Sequence, residues 1–525
     1  MPVLPDWIRR QARERGEKVF LIYHDEPITF HQYDELTDRL AYLLAEQGVR
    51  PGDHVAIAMG NSPEILVSLG AVAKRGAVAT PLNPSLTERE LRFLLEDVEA
   101  KLLLAHRPVG ERVLDEHRRR PFRALEKVIV WDRDREGAPE GALDAHRAMR
   151  RPLPPTPLPS LSDDDVMMIL YTSGTTGTPK GAMLTHGAML GVVRVLAQVL
   201  GMSSEETVVN TLPYFHVFAI SVEFLQFLYL GGTIVVRDQF HPRGVAEDIA
   251  RYRATFMDGV PSMYILLNQL LHSESGEHLD LSSLRVGVVG AAPVPVEVQR
   301  AFEEKTGIVV VEGYGQTEVS PIASLQPPDP EKRRYGSCGQ PLPGTEVKIV
   351  GPDGRELPPG EPGELWVRGF NVMRGYWNRP EESRQVLDPD GWLHTGDVLR
   401  QDSDGYLYMV DRLKDMIIYS GYNIYPKEVE TVLYHHPAVA EAIVVGSSHP
   451  TKGEVPIAFV RLKEGVEAAP EELLELCRKE LVPYKVPRQV ILVEDFPRTP
   501  QGKPIREELK KMAAGPGVRA QAAGE

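Results

Sequence analysis

Apolar residues along this chain fall into short runs separated by amphipathic stretches, a pattern that predicts strands alternating with helices. Runs at 55–58, 78–82, 101–105, 127–130 and 166–170 read as buried strands, and 63–75 reads as a helix between the first two. The rhythm resumes from Val208, where 286–289 and 308–311 are strands around a helix at 295–305. Such alternation predicts an α/β fold with mostly parallel sheets. Beyond residue 330 the texture changes. Short alternating strands at 346–350 and 363–368, set among prolines and glycines, predict a small β-barrel-like region. Strands at 398–401 and 406–410 flank Asp402-Ser403-Asp404-Gly405, a hairpin turn. After Asp411 an αββαβ-like pattern predicts a separate small α+β domain. The expected organisation is a large multi-layered N-terminal domain, 1–411, and a smaller C-terminal one, 412–525.

Bulk properties narrow the function. A chain of 525 residues exceeds one core, which agrees with two domains. Its net charge of −15 argues against a general nucleic-acid binder. Cys338 and Cys477 lie far apart, which is neither a disulfide framework nor a metal spacing and fits a reducing, cytoplasmic location. Residues 1–18 carry charges but no apolar core of a signal peptide. The most membrane-like stretch, 217–236, is interrupted by Glu223, Gln226 and Gly231-Gly232, so a buried helix plus strand is expected rather than a transmembrane segment. Peripheral membrane contact stays open, as does the choice between monomer and homodimer.

The chemistry concentrates first in the run from Tyr171 to Gly181. Thr172-Ser173-Gly174-Thr175-Thr176-Gly177 and Lys180 follow a strand, and Thr185 is placed to cap a helix carrying Met189, Val192, Val193, Leu196 and Leu200. Small hydroxyl residues, backbone N–H groups and one lysine suit phosphate oxygens. The run is not a Walker loop, because Gly181 follows Lys180 where that motif needs Ser or Thr. A βαβ unit then ends its two strands in small-residue loops, Gly290-Ala291-Ala292-Pro293 and Gly313-Tyr314-Gly315-Gln316-Thr317-Glu318. Ligands of open α/β sheets collect at that edge. The 398–410 hairpin would bring Asp397 and Asp411-Arg412 to one open end. An ordinary ion pair and a ribose-diol site explain that placement equally well.

The Tyr171–Gly181 run resembles the signature loop of the AMP-forming acyl-CoA synthetases, within the adenylate-forming superfamily, and the later motifs extend the resemblance over most of the chain. It implies that the proline-rich run 151–160 is a surface excursion of the large domain, and that the small domain is a mobile lid. Gly290–Pro293 would face adenine, with Tyr314 on the opposite face. Thr317 would bind the α-phosphate and Glu318 would ligate Mg²⁺. Asp397 and Arg412 would hold the ribose. Lys503, in the loop Pro497–Lys503, would be the catalytic lysine, a cation between the attacking carboxylate and the α-phosphate. Lys414 would be the hinge, and Ser420-Gly421-Tyr422 would meet coenzyme A.

Tyr214-Phe215-His216-Val217-Phe218 resembles the family's aromatic motif beside the substrate carboxylate, with His216 lining or gating the site. Ala219 stands where amino-acid-activating relatives carry Asp, which counts against an amino-acid substrate. Phe215, Phe218, Val222, Met263 and Val319 would line an apolar acyl pocket. The resemblance therefore implies an ATP-, Mg²⁺- and coenzyme A-dependent ligase for a medium- or long-chain fatty acid. The alternatives are an aryl or other carboxylic acid and, in a different class, a non-catalytic nucleotide- or acyl-binding protein on the same fold. A phosphoryl-transfer NTPase is disfavoured by the non-Walker loop.

Overall fold

The structure is a computed structural model and describes residues 2–132, 137–152, 157–172, 178–274, 276, 278–420, 422–449, 451–498 and 504–514. Three groups singled out above lie outside the described residues: 173–177, Gly421 and Lys503. The chain divides into two compact units, the first comprising 1–347, 367–393 and 405–407, the second 348–366, 394–404 and 408–525.

The first unit holds two large sheets. One runs in the order Leu143–Asp144, Lys127–Trp131, Leu102–His106, His54–Ala58, Val78–Pro81, Val166–Thr172 and Lys180–Thr185. All its pairings are parallel except the last, which is antiparallel. Parallel strands covered on both faces need continuous apolar runs, and all five residues of His54–Ala58 are buried. The helix Pro63–Arg75 is bounded as its sequence dictates. Ser62 caps it by accepting the Ile65 N–H, Pro63 occupies its first turn, and Gly76 closes it at φ +69°.

Lys180–Thr185 departs from expectation. The glycine-rich run does not lead from strand to helix. It joins two antiparallel strands, with Thr172 paired to Lys180 and Tyr171 to Gly181. Thr185 then caps the helix His186–Val199 as anticipated.

Among the described residues the second large sheet has nine strands. Its parallel centre runs Val309–Tyr314, Val286–Val289, Phe256–Gly259, Thr207–Val209, Thr233–Val236 and Val19–Tyr23, with short antiparallel strands at both edges. The helix expected at 295–305 is Val296–Thr306, with Pro295 as its N-cap. The 217–236 stretch is a π-helix, Ala219–Leu225, continued by Gln226–Leu230 and the strand Thr233–Val236. Among the described residues no helix is long and apolar enough to cross a membrane.

The β-rich region forms a four-stranded sheet of order Thr345–Val350, Gly363–Gly369, Leu393–Gln401 and Leu407–Arg412. In the second unit, Val439–His449 and Gly453–Leu462 form a long antiparallel pair, joined by Ile417–Tyr419, Tyr422–Ile424 and Gln489–Leu492. Side chains of that pair alternate between two cores. Ala442, Val444, Ala458 and Val460 pack with Val429, Leu433 and Leu473, whereas Ile443, Val445, Ile457 and Phe459 pack with Leu509 and Ala513. Each fully buried aliphatic side chain contributes about 1.5–3 kcal/mol, so helices on both faces hold the sheet.

Candidate active site

In the first unit the antiparallel pairing of Val166–Thr172 with Lys180–Thr185 sets the geometry. Thr172 and Lys180 lie opposite each other at the ends of the two strands. The Thr172 hydroxyl donates to Glu318 Oε1 at 3.4 Å, and the Tyr376 hydroxyl donates to the same oxygen at 2.8 Å. Lys180 Nζ lies 5.3 Å from the centre of the Tyr376 ring, an ammonium over an aromatic face. Lys180, Glu318 and Tyr376 are all buried. A lysine, a carboxylate and two hydroxyls therefore converge from three distant parts of the sequence. Burial raises the pKa of the Tyr376 hydroxyl, and the Glu318 charge raises it further, so it stays a neutral donor to that carboxylate.

Tyr376 was not legible as a site residue. It is placed by an isolated bridge to Ala182 and by backbone hydrogen bonds from the Met183 N–H to the Gly375 carbonyl and from the Trp377 N–H to the Gly181 carbonyl, both along the strand Lys180–Thr185. Behind it, Asp97 accepts the Tyr171 hydroxyl at 2.7 Å and pairs with Arg379, and the Asp97 carbonyl accepts the Trp377 indole N–H at 3.2 Å. The signal available in sequence was the cluster Tyr376-Trp377-Asn378-Arg379-Pro380, whose polar-tipped aromatics need partners when buried.

The two small-residue loops lie at the ends of adjacent parallel strands, Val286–Val289 and Val309–Tyr314. Gly290 is buried, and its N–H donates to the Gly259 carbonyl at 3.2 Å. Ala291, Ala292 and Pro293 are exposed, and Ala291 takes a left-handed φ of +66°. Small residues there leave backbone open to a flat ligand. Tyr314 is buried, Gly313, Gln316 and Thr317 are half-buried, and Gly315 is exposed. A Cβ on Gly315 would sit 1.8 Å from the Pro321 carbonyl oxygen, so close backbone approach requires glycine. The loop turns through the 3₁₀ segment Thr317–Val319, and the Met373 N–H donates to the Glu318 carbonyl at 2.9 Å.

Among the acyl-lining candidates, Phe218 is buried and its ring lies 3.4 Å from the position a Gly290 Cβ would take. Val222 and Val319 are buried too, while Phe215, His216 and Met263 are half-buried. His216 Nδ1 accepts the Phe218 N–H at 3.3 Å, which fixes that nitrogen as an acceptor.

In the second unit the hairpin delivers what its sequence promised. Asp397 Oδ1 and Arg412 Nε are 3.5 Å apart. Thr395 caps the approach by accepting the Asp397 N–H at 3.1 Å and donating to the Leu365 carbonyl at 2.7 Å. Asp411 accepts the N–H groups of Arg412 and Lys427 at 2.7 and 2.9 Å. Burial nevertheless pushes its carboxyl up to about 6. Lys414 is exposed on the 3₁₀ segment Leu413–Asp415, while the buried Asp415 lies 3.8 Å from Arg506 Nε. Ser420, at φ +48°, and Tyr422 are exposed, and Tyr422 stacks on Tyr484 at 4.9 Å.

Two family models match this chain. The AMP-binding enzyme model covers residues 8–377, and the AMP-binding enzyme C-terminal domain model covers 428–503. The chain belongs to the AMP-binding enzymes of the adenylate-forming superfamily. It is 38% identical over 510 residues to a feruloyl-CoA synthase of Amycolatopsis sp, covering 97% of this chain and 98% of that one. It is 34% identical over 545 residues to a long-chain-fatty-acid–CoA ligase of Escherichia coli, covering 98% and 95%. Its fold matches the o-succinylbenzoate coenzyme A synthetase of Bacillus subtilis, solved with ATP and magnesium ion, with a TM-score of 0.84 and 31% identity over 96% and 99% of the two chains. With these relatives and this architecture the enzyme is an acid–thiol ligase of the adenylate-forming type.

Proposed function

We propose that this ligase activates a fatty acid as its adenylate and passes the acyl group to coenzyme A. The acid carboxylate attacks the α-phosphorus of ATP and pyrophosphate leaves. The coenzyme A sulfur then attacks the acyl carbon and AMP leaves. The observation that carries this reading is the convergence of Thr172 and Tyr376 on the Glu318 carboxylate, with Lys180 over the Tyr376 ring, next to loops at the carboxyl ends of two parallel strands.

Magnesium fits this oxygen-rich corner. Among the described residues no group of three or more His, Cys, Asp or Glu can hold a metal by itself, and magnesium needs only one or two carboxylates when phosphate oxygens and water complete its shell. Glu318 would hold the ion, which would neutralise charge on the phosphates. Lys180 and Thr172 would hold phosphate oxygens, as would 173–177, and Thr317 would contact the α-phosphate. Adenine would rest on Gly290–Pro293 beside Tyr314. The ribose diol would go to Asp397 and Arg412, where a carboxylate can accept from both hydroxyls. By the same reading Lys503 supplies the cation that stabilises the charge developing as pyrophosphate leaves. Lys414 is the pivot of a two-state lid, and Ser420, Gly421 and Tyr422 receive coenzyme A. The expected organisation, 1–411 and 412–525, puts that pivot at the start of the lid.

Buried Phe218, Val222 and Val319 and the long-chain relative support a medium or long acyl chain. A second reading, an aryl acid, is supported by the 38% identity to a feruloyl-CoA synthase. A panel of saturated fatty acids and hydroxycinnamates, scored by kcat/KM for pyrophosphate release with coenzyme A present, separates them. Preference for chains of eight or more carbons upholds the first reading, and preference for hydroxycinnamates replaces it with the second. An enzyme idle on every acid overturns both.

A further inference from the structure

The apolar stretch that carries Phe218 also carries a carboxylate, and a second carboxyl group faces it. Glu223 lies in the π-helix Ala219–Leu225 and Asp258 in the strand Phe256–Gly259, and both are fully enclosed. π-Helical turns recur at functional sites. Glu223 Oε1 accepts the N–H groups of Thr211 and Leu212 at 3.2 and 3.3 Å, and Oε2 accepts Asn210 Nδ2 at 2.5 Å. Glu223 is thus supplied with donors as an ionised carboxylate would be. Asp258 is in the opposite condition. Neither of its carboxyl oxygens accepts a hydrogen bond from a described N–H or O–H, and the charged group nearest in effect is the Glu223 carboxyl. The other titratable groups facing the pair are the hydroxyls of Tyr214 and Tyr264. An ionised Asp258 would set two enclosed negative charges side by side. A protonated Asp258 donates to Glu223 and satisfies both.

The pair joins segments that meet at the site. The Thr211 hydroxyl donates to the Asp258 carbonyl at 2.7 Å. Asn61 Nδ2 donates to Asn210 Oδ1 at 2.8 Å and to the Leu212 carbonyl at 2.9 Å, while Asn61 Oδ1 accepts the Tyr214 N–H at 2.9 Å. Gly259, next to Asp258, accepts the Gly290 N–H, and Phe218 packs on Gly290.

We propose that Asp258 is protonated at neutral pH and donates to the Glu223 carboxylate, and that this pair is a positioning element for the acid-binding segment 214–218. The positioning half rests on the reading of that segment given under Proposed function. Burial pushes both carboxyls up, and the Glu223 charge pushes Asp258 up further, which agrees with the geometry.

The test compares Asp258→Asn with Asp258→Ala and Glu223→Ala in the full chain. Asparagine keeps an N–H donor toward Glu223, so its KM for the acid stays near wild type. Each alanine variant raises that KM roughly 10-fold or more while the KM for ATP holds. The wild-type KM for the acid rises at alkaline pH as the proton leaves, and that rise is missing in Asp258→Asn. Infrared spectroscopy of the wild-type protein shows a protonated-carboxyl band at neutral pH that Asp258→Asn lacks. Equal losses in Asp258→Asn and Asp258→Ala, or a pH-independent KM, overturn the positioning role, and a wild-type spectrum without the band difference overturns the shared proton. The infrared comparison needs no substrate and no alanine variant. A band in an enzyme idle on all acids therefore refutes the proposed function and leaves the proton assignment standing.

Discussion

Tyr376 donates its hydroxyl to the Glu318 carboxylate at 2.8 Å, across 58 residues of sequence. A hydrogen bond to a charged acceptor is worth about 1.5–3 kcal/mol. Tyr376→Phe removes it and keeps the ring under Lys180. Steady-state kinetics at varied Mg·ATP should show kcat/KM lowered roughly 10- to 100-fold. Circular dichroism should show the fold intact. Unchanged kinetics would mean that Glu318 is oriented without Tyr376.

Gly315 tolerates no side chain. A Cβ there would meet the Pro321 carbonyl oxygen at 1.8 Å, which forces backbone to move. Gly315→Ala should lower nucleotide affinity at least roughly 10-fold by displacing the loop that carries Thr317 and Glu318. Gly307→Ala is the contrasting control. No atom lies near its added Cβ, so its φ of +77° is the sole strain, and its effect should be a modest loss of melting temperature with nucleotide affinity retained. Calorimetric titration with ATP on both variants checks the contrast.

The ion pair of Asp397 and Arg412 meets solvent at its cationic end, with the Arg412 side chain 54% exposed and that of Asp397 12%. Screening makes such a pair a weak source of stability. Asp397→Ala should therefore shift the melting temperature by only about 2 °C or less. Its KM for ATP should rise roughly 10-fold, as expected for a lost charge-assisted contact. A large melting shift with an unchanged KM would assign Asp397 to the fold instead of the ribose.

Asp411 predicts a pH dependence. Burial is the main cause that raises its carboxyl from 3.8 to about 6, against the lowering influence of two backbone N–H groups and Arg506. Between those values the folded chain holds a proton that the unfolded chain has released. The group's contribution to stability is therefore full below about pH 3.8, falls as pH rises toward about 6, and is level above that. The slope within the window is about 1.4 kcal/mol per pH unit. Denaturation of wild type and Asp411→Asn across the window should show that slope as a difference between the two, and parallel profiles would contradict it.

The layers of this fold were readable because fully buried parallel strands print as apolar runs, as at His54–Ala58 and Val286–Val289. The strand Lys180–Thr185 was not, since Lys-Gly-Ala-Met-Leu-Thr has neither a β-branched run nor clean alternation. It becomes a strand because Val166–Thr172 offers it an edge. Thr172, Lys180 and Glu318 were singled out from their own motifs, yet nothing local tells that they meet. Tyr376 escaped because its partner is distant in sequence. Glu223 was visible as a charge within an apolar stretch, but its need for Asp258 emerges only when the strand Phe256–Gly259 is packed beside the π-helix.

The account stands or falls on acid-dependent chemistry at the α-phosphorus. The direct measurement is exchange of labelled pyrophosphate into ATP by the full-length protein, with an acid present and coenzyme A left out. The account predicts exchange that requires the acid and magnesium, because acyl-AMP forms reversibly before any thiol is used. Exchange absent with every acid, or ATP consumed to ADP and phosphate instead, would contradict it.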